Sequence, residues 1–563
     1  MKKILDNNYY DLIFNNLLIP AFSIGDDITV LDDRFSLLHV AKNNMQPCDL
    51  GQNPYHNFPA LYTLTSRMST ERSCFKIAQE NSFTNLTGQG IIIGIIDTGI
   101  DYLHPAFIHQ DKTTRIIRIW DQTIQDGSPP DNFTFGTEYT RASINSALLQ
   151  SDPFLTVPSK DTNGHGTAIA SIIAGTPDEK QYFTSIVPNS ELAVVKLKEA
   201  KASLKDIFFV PENDLCFQES DIILGIRYLT DLGRRLRRPI VICIGLGSSQ
   251  GSHDGRSFLS NHIDRLVLQP EVDVSVSAGN EGDNGRHYFG GSSSAPYMND
   301  FQLNIGRNGG EFAMEIWPFS PGRLSIEISA PNQESTPFIY PSFSRCQKFS
   351  FQNNQSVVWV NNMAFEQGSG EQLILLRFEE PMPGIWNFRV QSTENEPFSF
   401  HSWLPSGNLL PDSTFFLSSN PNTTITSPGN TRNALTVAAY NQLSGNILDE
   451  SGRGYTRVGM VKPDLAAPGY QIPCALPDGQ YGTLTGTGAA AANAAGAVAM
   501  VFEWTRGKGN LTYITGEQIN RLLLRRAQRN NAYSYPNNIW GYGQLDVYNL
   551  LSQLSKILQR EII

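Results

Sequence analysis

The sequence predicts an α/β protein. Its centre is a parallel sheet with helices on both faces. A small leading domain precedes it, and an all-β segment interrupts it. Three observations carry this expectation. Continuous apolar runs, of which Ile91–Ile96 is the clearest, read as strands buried on both faces of a sheet. Helical stripes at 218–238 and Ala168–Ala174 lie between such runs, and strand–helix alternation argues for a parallel sheet. Between 297 and 422 the helical stripes stop, and short strands bounded by Pro, Gly and Asn take over. A chain of 563 residues also exceeds the roughly 250–300 that one core serves, so several domains are expected.

Residues 1–65 hold strand-like alternations, Ile28-Thr29-Val30 and Phe35–Val40, and close near the turn-rich stretch Gln52–Pro59. After about residue 85 the buried-strand texture begins, with Leu192–Val195, Ile240–Ile244 and Val272–Ser277 following Ile91–Ile96. The stripe Ile222, Ile226, Leu229, Leu232 and Leu236 predicts one helix face. The cations Arg234, Arg235, Arg237 and Arg238 then fall at its C-terminus, where they complement the helix dipole. Leu324–Ile328, Leu373–Phe378, Ile385–Val390 and Phe398–Phe400 predict a β sandwich. Its tryptophans Trp317, Trp359, Trp386 and Trp403 serve either as core or as platforms for sugar rings. After Thr426 the α/β texture returns, and Thr515-Gly516-Glu517-Gln518 reads as a capping box opening a helix through Arg526.

Net charge is −11, which disfavours a phosphate-backbone binder, so no nucleic-acid partner is expected. The six cysteines show no Cys-x-x-Cys pair, so no zinc site is expected. The longest apolar segment, 488–502, is too short to span a bilayer and is interrupted by Asn493. The N-terminus lacks the apolar stretch of a signal peptide, so a soluble chain without standard export is expected.

Four segments carry chemistry. Asp97-Thr98-Gly99 ends a buried strand. Asn163-Gly164-His165-Gly166-Thr167 opens a helix, with glycines that allow close approach. Ser277-Ala278-Gly279-Asn280 offers an amide from a Gly turn, and Gly486-Thr487-Gly488 opens a helix of small residues. In this order the four resemble the subtilisin-like serine proteases, whose triad order is Asp, His, Ser. Ser451–Gly454, Lys462–Gly469 and Gly541–Asp546 match further stretches of that family, and Gly245-Leu246-Gly247 falls where its substrate-lining strand lies. The resemblance covers about 85–296 and 423–550. It implies Asp97 as triad acid, His165 as triad base, Asn280 as oxyanion-hole amide, and Gly245, Leu246 and Gly247 as groove lining.

One departure decides the reading. The family's nucleophile serine is replaced by Gly488, which has no hydroxyl for His165 to deprotonate. In a subtilisin, losing the serine costs about 2 × 10⁶ in kcat. Thr485 and Thr487 are off by one or more residues, and one residue swings a helical side chain by about 100°. Ala492, Asn493 and Gly245 depart from the family as well, a pattern of natural decay.

The resemblance divides the chain into an N-terminal α+β prodomain at 1–65, body segments at 66–296 and 423–563, and an inserted all-β jelly roll at 297–422. This layout resembles the Csp subtilases of clostridial spores, and Gly488 the pseudoproteases among them, of CspA or CspC type. That implies a spore protein acting in germination signalling. It would sense a germinant such as a bile salt or amino acid, bind a partner subtilase of the same group, or do both, to govern a cortex-hydrolase zymogen. Without a nucleophile the prodomain stays attached, with Ala60–Thr63 parked near His165. The alternatives are an active endopeptidase with unorthodox chemistry and a jelly-roll ligand-binding module. No cofactor is expected, although loops such as Asp283-Asn284 leave room for calcium.

Overall fold

The computed structural model describes residues 2–18, 27–42, 50, 53–71, 86–352, 355–507 and 513–561. A nine-stranded sheet forms the body. From one edge its order is Asn446–Ile447, Leu435–Asn441, Val272–Ser277, Ile240–Ile244, Ile92–Asp97, Glu191–Lys196, Ile116–Asp121 and Thr137–Thr140. Leu465–Pro468 also pairs with Leu435–Asn441. The inner strands are parallel, and only the edge strands Asn446–Ile447 and Thr137–Thr140 are antiparallel.

The apolar run Ile91–Ile96 shows why such a strand needs no polar alternation. Ile91, Ile93 and Ile95 enter the core on one face, and Ile92 and Ile96 the core on the other. The first face is covered by the helices His165–Ala174 and Thr487–Gly507, whose small residues Ala490, Ala491 and Ala494 let the backbone approach the sheet. The second face is covered by Glu219–Leu236 and Phe258–Leu266. The capping box is formed as expected: Thr515 and Gln518 bond each other's backbone, and the helix runs Gly516–Arg526. Arg238 ion-pairs with Glu191, and Arg237 takes the left-handed turn that ends the helix Glu219–Leu236.

The leading segment forms a three-stranded antiparallel sheet, with Phe35–Ala41 between Tyr9–Asn15 and Ile28–Val30. It shows no α-helix among the described residues; 19–26 and 43–49 lie outside them. Ile13, Leu31 and Leu37 pack into the same core as the body helix Glu219–Leu236. A buried polar knot adds direction to this seam. The Asp11 carboxylate accepts from Lys201 at 2.8 Å, His39 at 2.6 Å and Gln218 at 3.1 Å. Burial works to raise the Asp11 pKa, but the His39 bond and the Lys201 charge outweigh it and hold it below the usual value.

The insert is a two-sheet sandwich of six and four strands running from His287–Ser292 to Phe415–Phe416. It opens at His287 rather than 297, because His287–Ser292 pairs with Phe398–Trp403. Trp317, Trp386 and Trp403 are buried, so their faces are core. Trp359 is half-buried under Lys348. Cys216, Cys243 and Cys474 are free and buried, and Cys346 is disulfide-bonded. Among the described residues no helix is long and apolar enough to cross a membrane, and no cluster of three His, Cys, Asp or Glu residues could hold a metal ion.

Histidines line the seam between sandwich and body. His253 stacks on Trp403 at 3.9 Å and 10°, with its ring nitrogens against Ile425 O and Ser249 O. His287 meets His401 at 2.8 Å. Burial lowers His253 to about 4 and His287 to about 3. A histidine depressed in the folded state favours folding above its unfolded pKa and loses that contribution as pH falls toward its folded pKa. Stability to urea should therefore drop from pH 7 to pH 5, by about 2 kcal/mol for His253 alone. The His253→Phe chain should show a flatter pH slope, whatever its absolute stability; an unchanged slope would remove this histidine from the account.

Candidate active site

Asp97 ends the central strand Ile92–Asp97, and His165 begins the helix His165–Ala174. His165 Nδ1 lies 2.9 Å from both Asp97 oxygens. The junction is held by its neighbours. Gly164 has φ 95°, a left-handed turn that favours glycine. Gly166 lies so close to Gly99 O that any side chain would collide. Asp161 accepts from Gly164 N, Thr167 N and Thr167 Oγ1, and Thr98 Oγ1 accepts from Gly166 N. The ring edge opposite Asp97 is different. His165 Nε2 is buried and has no hydrogen-bond partner.

Asn280 follows the strand Val272–Ser277. Its Oδ1 accepts from Thr487 N at 3.0 Å and Thr487 Oγ1 at 2.9 Å, which orients the amide. Its Nδ2 donates to Thr65 O at 2.7 Å, and Gly488 N donates to the same oxygen at 3.0 Å. Two donors thus converge on one carbonyl, the geometry that stabilises an oxyanion in acyl transfer. Thr487 Oγ1 donates to Asn280 Oδ1, and Thr485 Oγ1 accepts from Gln471 N.

The carbonyl belongs to the chain itself. Leu61–Leu64 is a strand laid between Phe217–Gln218 and Leu246–Gly247, antiparallel to both. Thr65 N donates to Gly245 O at 3.1 Å. Beyond the site, Arg67–Ser69 pairs with Gln480–Thr485. The segment 61–69 therefore crosses the groove as an extended strap, with the Thr65–Ser66 peptide bond beside Asn280 and Gly488. Tyr62 is buried and its hydroxyl meets Ser427 at 2.9 Å. The sandwich closes over the strap, where Gly407 approaches Thr63 and Ser406 Oγ donates to Gly247 O.

The sequence-derived residues Asp97, His165, Asn280, Gly245, Leu246, Gly247 and Gly488 all meet here. Gly245 matters for its lack of a side chain, since a Cβ would press on His165 Cε1 at 3.1 Å. Sequence reasoning placed the tail at Ala60–Thr63; the structure carries it farther and sets Thr65 and Ser66 over the site. Ser66 went unnoticed. A Cβ on Gly488 would overlap Ser66 Oγ and lie 3.1 Å from Thr65 Oγ1, so the strap's hydroxyls fill the space a side chain at 488 would take. Ser66 Oγ and Thr65 Oγ1 are both buried without a partner.

The obstacle to a serine at 488 is the rotatable end of Ser66, not backbone. A Gly488→Ser chain should accommodate the hydroxyl by turning Ser66 aside, and should then cut itself between Thr65 and Ser66. A denaturing gel with N-terminal sequencing reads the cut, and adding His165→Ala should abolish it. A whole Gly488→Ser chain would show that position 488 is not the missing part.

The subtilase family model, Peptidase S8, matches residues 88–333 and 391–543. The CspB protease of Clostridium perfringens has a similar structure, with TM-score 0.75, 28% identity, and coverage of 86% of this chain and 96% of that one. Among curated proteins, the intracellular serine protease of Paenibacillus polymyxa is 25% identical over 35% of this chain and 43% of its own length. The minor extracellular protease Vpr of Bacillus subtilis is 22% identical over 83% and 52%. The chain spans about half or less of the length of these curated relatives. The match of the family model over most of the chain, on a subtilisin-like α/β fold, shows that this protein belongs to the subtilase family.

Proposed function

We propose that this chain is a pseudoprotease, a subtilase that acts by binding rather than by turnover. The observation that carries the reading is the pairing of Gly488 with an occupied groove. There is no hydroxyl at the nucleophile position, and the chain's own Thr65 carbonyl sits on the two oxyanion donors. An exogenous peptide would have to displace a tethered strap and would then find no nucleophile. The prodomain, 1–65, stays attached in this reading.

The likeness to the CspB protease supports a place among the Csp subtilases of spores. There this chain would relay a germination signal in the spore by binding a partner subtilase, a small germinant, or both, so as to govern a cortex-hydrolase zymogen. A specific observation favours small-molecule sensing. A cavity of about 220 Å³ opens where prodomain, body and sandwich meet, lined by Tyr55, His56, Phe58, Phe258, Trp317 and Glu366. A ligand there would touch all three units at once, which couples binding to the seating of the prodomain.

Three measurements test the proposal. The purified protein should run as one 62.4 kDa chain. A fluorophosphonate probe should leave it unlabelled, and strong labelling would end the pseudoprotease reading. Used as bait in spore extract, it should recover other subtilases. If none is recovered, the relay gives way to a standalone sensor.

A further inference from the structure

The site lacks a nucleophile on the body, yet a hydroxyl stands in its place. Ser66 Oγ occupies the volume that a side chain at 488 would take. The carbonyl next to it, Thr65 C=O, is already held by Asn280 Nδ2 and Gly488 N. His165 is oriented through Nδ1 by Asp97, and its Nε2 is buried without a partner. Ser66 Oγ is likewise buried and unpartnered. Orphaned buried polar atoms each cost about 1–3 kcal/mol and point to a functional reason when they cluster. The side of the carbonyl from which an enzyme's serine would attack is thus faced by the serine of the strap itself.

We infer that Ser66 supplies in cis the nucleophile that position 488 lacks, and that the Thr65–Ser66 bond undergoes a reversible acyl shift from nitrogen to oxygen. Ser66 Oγ bonds to the Thr65 carbonyl carbon through a five-membered ring, and its proton passes to His165 Nε2. The carbonyl oxygen becomes an oxyanion between Asn280 Nδ2–H and Gly488 N–H, while Asp97 holds the imidazolium. The bond from Thr65 carbon to Ser66 nitrogen then breaks, and that nitrogen takes the proton from Nε2 as it leaves. The product is an ester from Thr65 to Ser66 Oγ with a free Ser66 amine; no atom is gained or lost. No hydrogen bond joins Nε2 to Oγ in the resting arrangement, so the step needs the two atoms to approach on reaction, as catalytic groups commonly do.

The amine stays beside the ester and attacks it in reverse, so the amide is the resting form and the chain remains whole. This activity concerns one bond of the chain itself, a single event per molecule. It is independent of turnover on other substrates, which the proposed function denies.

Neutral hydroxylamine, which cleaves esters and spares amides, traps the minor form. The native full-length chain incubated with it should break between Thr65 and Ser66, leaving a hydroxamate on Thr65 and a new N-terminus at Ser66, both read by intact mass. Ser66→Ala should abolish the break. His165→Ala should slow it by about 10²–10⁴-fold, the usual worth of a general base. Ser66→Cys keeps the side chain's size and should break faster, since sulfur is the better nucleophile. If the wild-type chain and Ser66→Cys both stay whole, or if the break survives in Ser66→Ala, the inference falls. Labelling by a fluorophosphonate would count against the pseudoprotease reading and leave this one standing.

Discussion

The structure turns on one oxygen. The Thr65 carbonyl accepts from Asn280 Nδ2 and from Gly488 N, two donors on elements more than two hundred residues apart in sequence. Asn280 reaches it from the end of the strand Val272–Ser277, and Gly488 from the first turn of the helix Thr487–Gly507. The third party, residue 65, arrives from the end of the leading segment. The bonds to this oxygen therefore form only when strand, helix and leading segment are all in place. Thr487, bonded to Asn280 Oδ1 through both its N–H and its hydroxyl, ties the first two together independently of the third.

The insert reads as part of the same clamp. Gly407 N donates to Glu281 Oε1, one residue beyond Asn280, and Ser406 reaches the groove strand at Gly247 O. Arg286, fully buried, sends its guanidinium to the carbonyls of Pro405 and Leu410. Those oxygens and the Asp412 carboxylate take the two terminal amino groups, while Nε has no partner, and the bonds tie the guanidinium to the loop that lies over the strap. The sandwich thus fixes the groove's upper wall as well as adding mass beside it.

Much of this site is legible in the sequence, because its parts are local. Asp97 at a strand end, His165 between glycines, Asn280 after Gly279 and Gly488 before a run of alanines are each visible within a few residues. The parallel sheet is legible for the same reason, through Ile91–Ile96 and its sister runs. What was not legible is pairing across distance. The register that lays Leu64 opposite Leu246 and Thr485 opposite Arg67 rests on backbone hydrogen bonds, which any residue supplies. Hence the strap's reach to Thr65 and Ser66 left no pattern to read. The sandwich's first strand, His287–Ser292, was missed on similar grounds, since Gly290 and Gly291 dilute its apolar signal.

His165 and Asn280 are held by bonds within the body, through Asp97, Thr98 and Asp161 for the one and Thr487 for the other. The space beside them that a side chain at 488 would take is filled from the strap by Ser66 Oγ. Packing alone does not ask for this. An apolar filling at 66 would close the same gap and would leave no orphaned hydroxyl beside an orphaned imidazole nitrogen. Two buried polar atoms without partners oppose stability, and each asks for a reason in the site. Here they flank a peptide bond whose carbonyl is held by Asn280 Nδ2 and Gly488 N. That makes the strap the occupant around which this groove is built, and any partner or ligand that acts on the protein must act with the strap in place or move it.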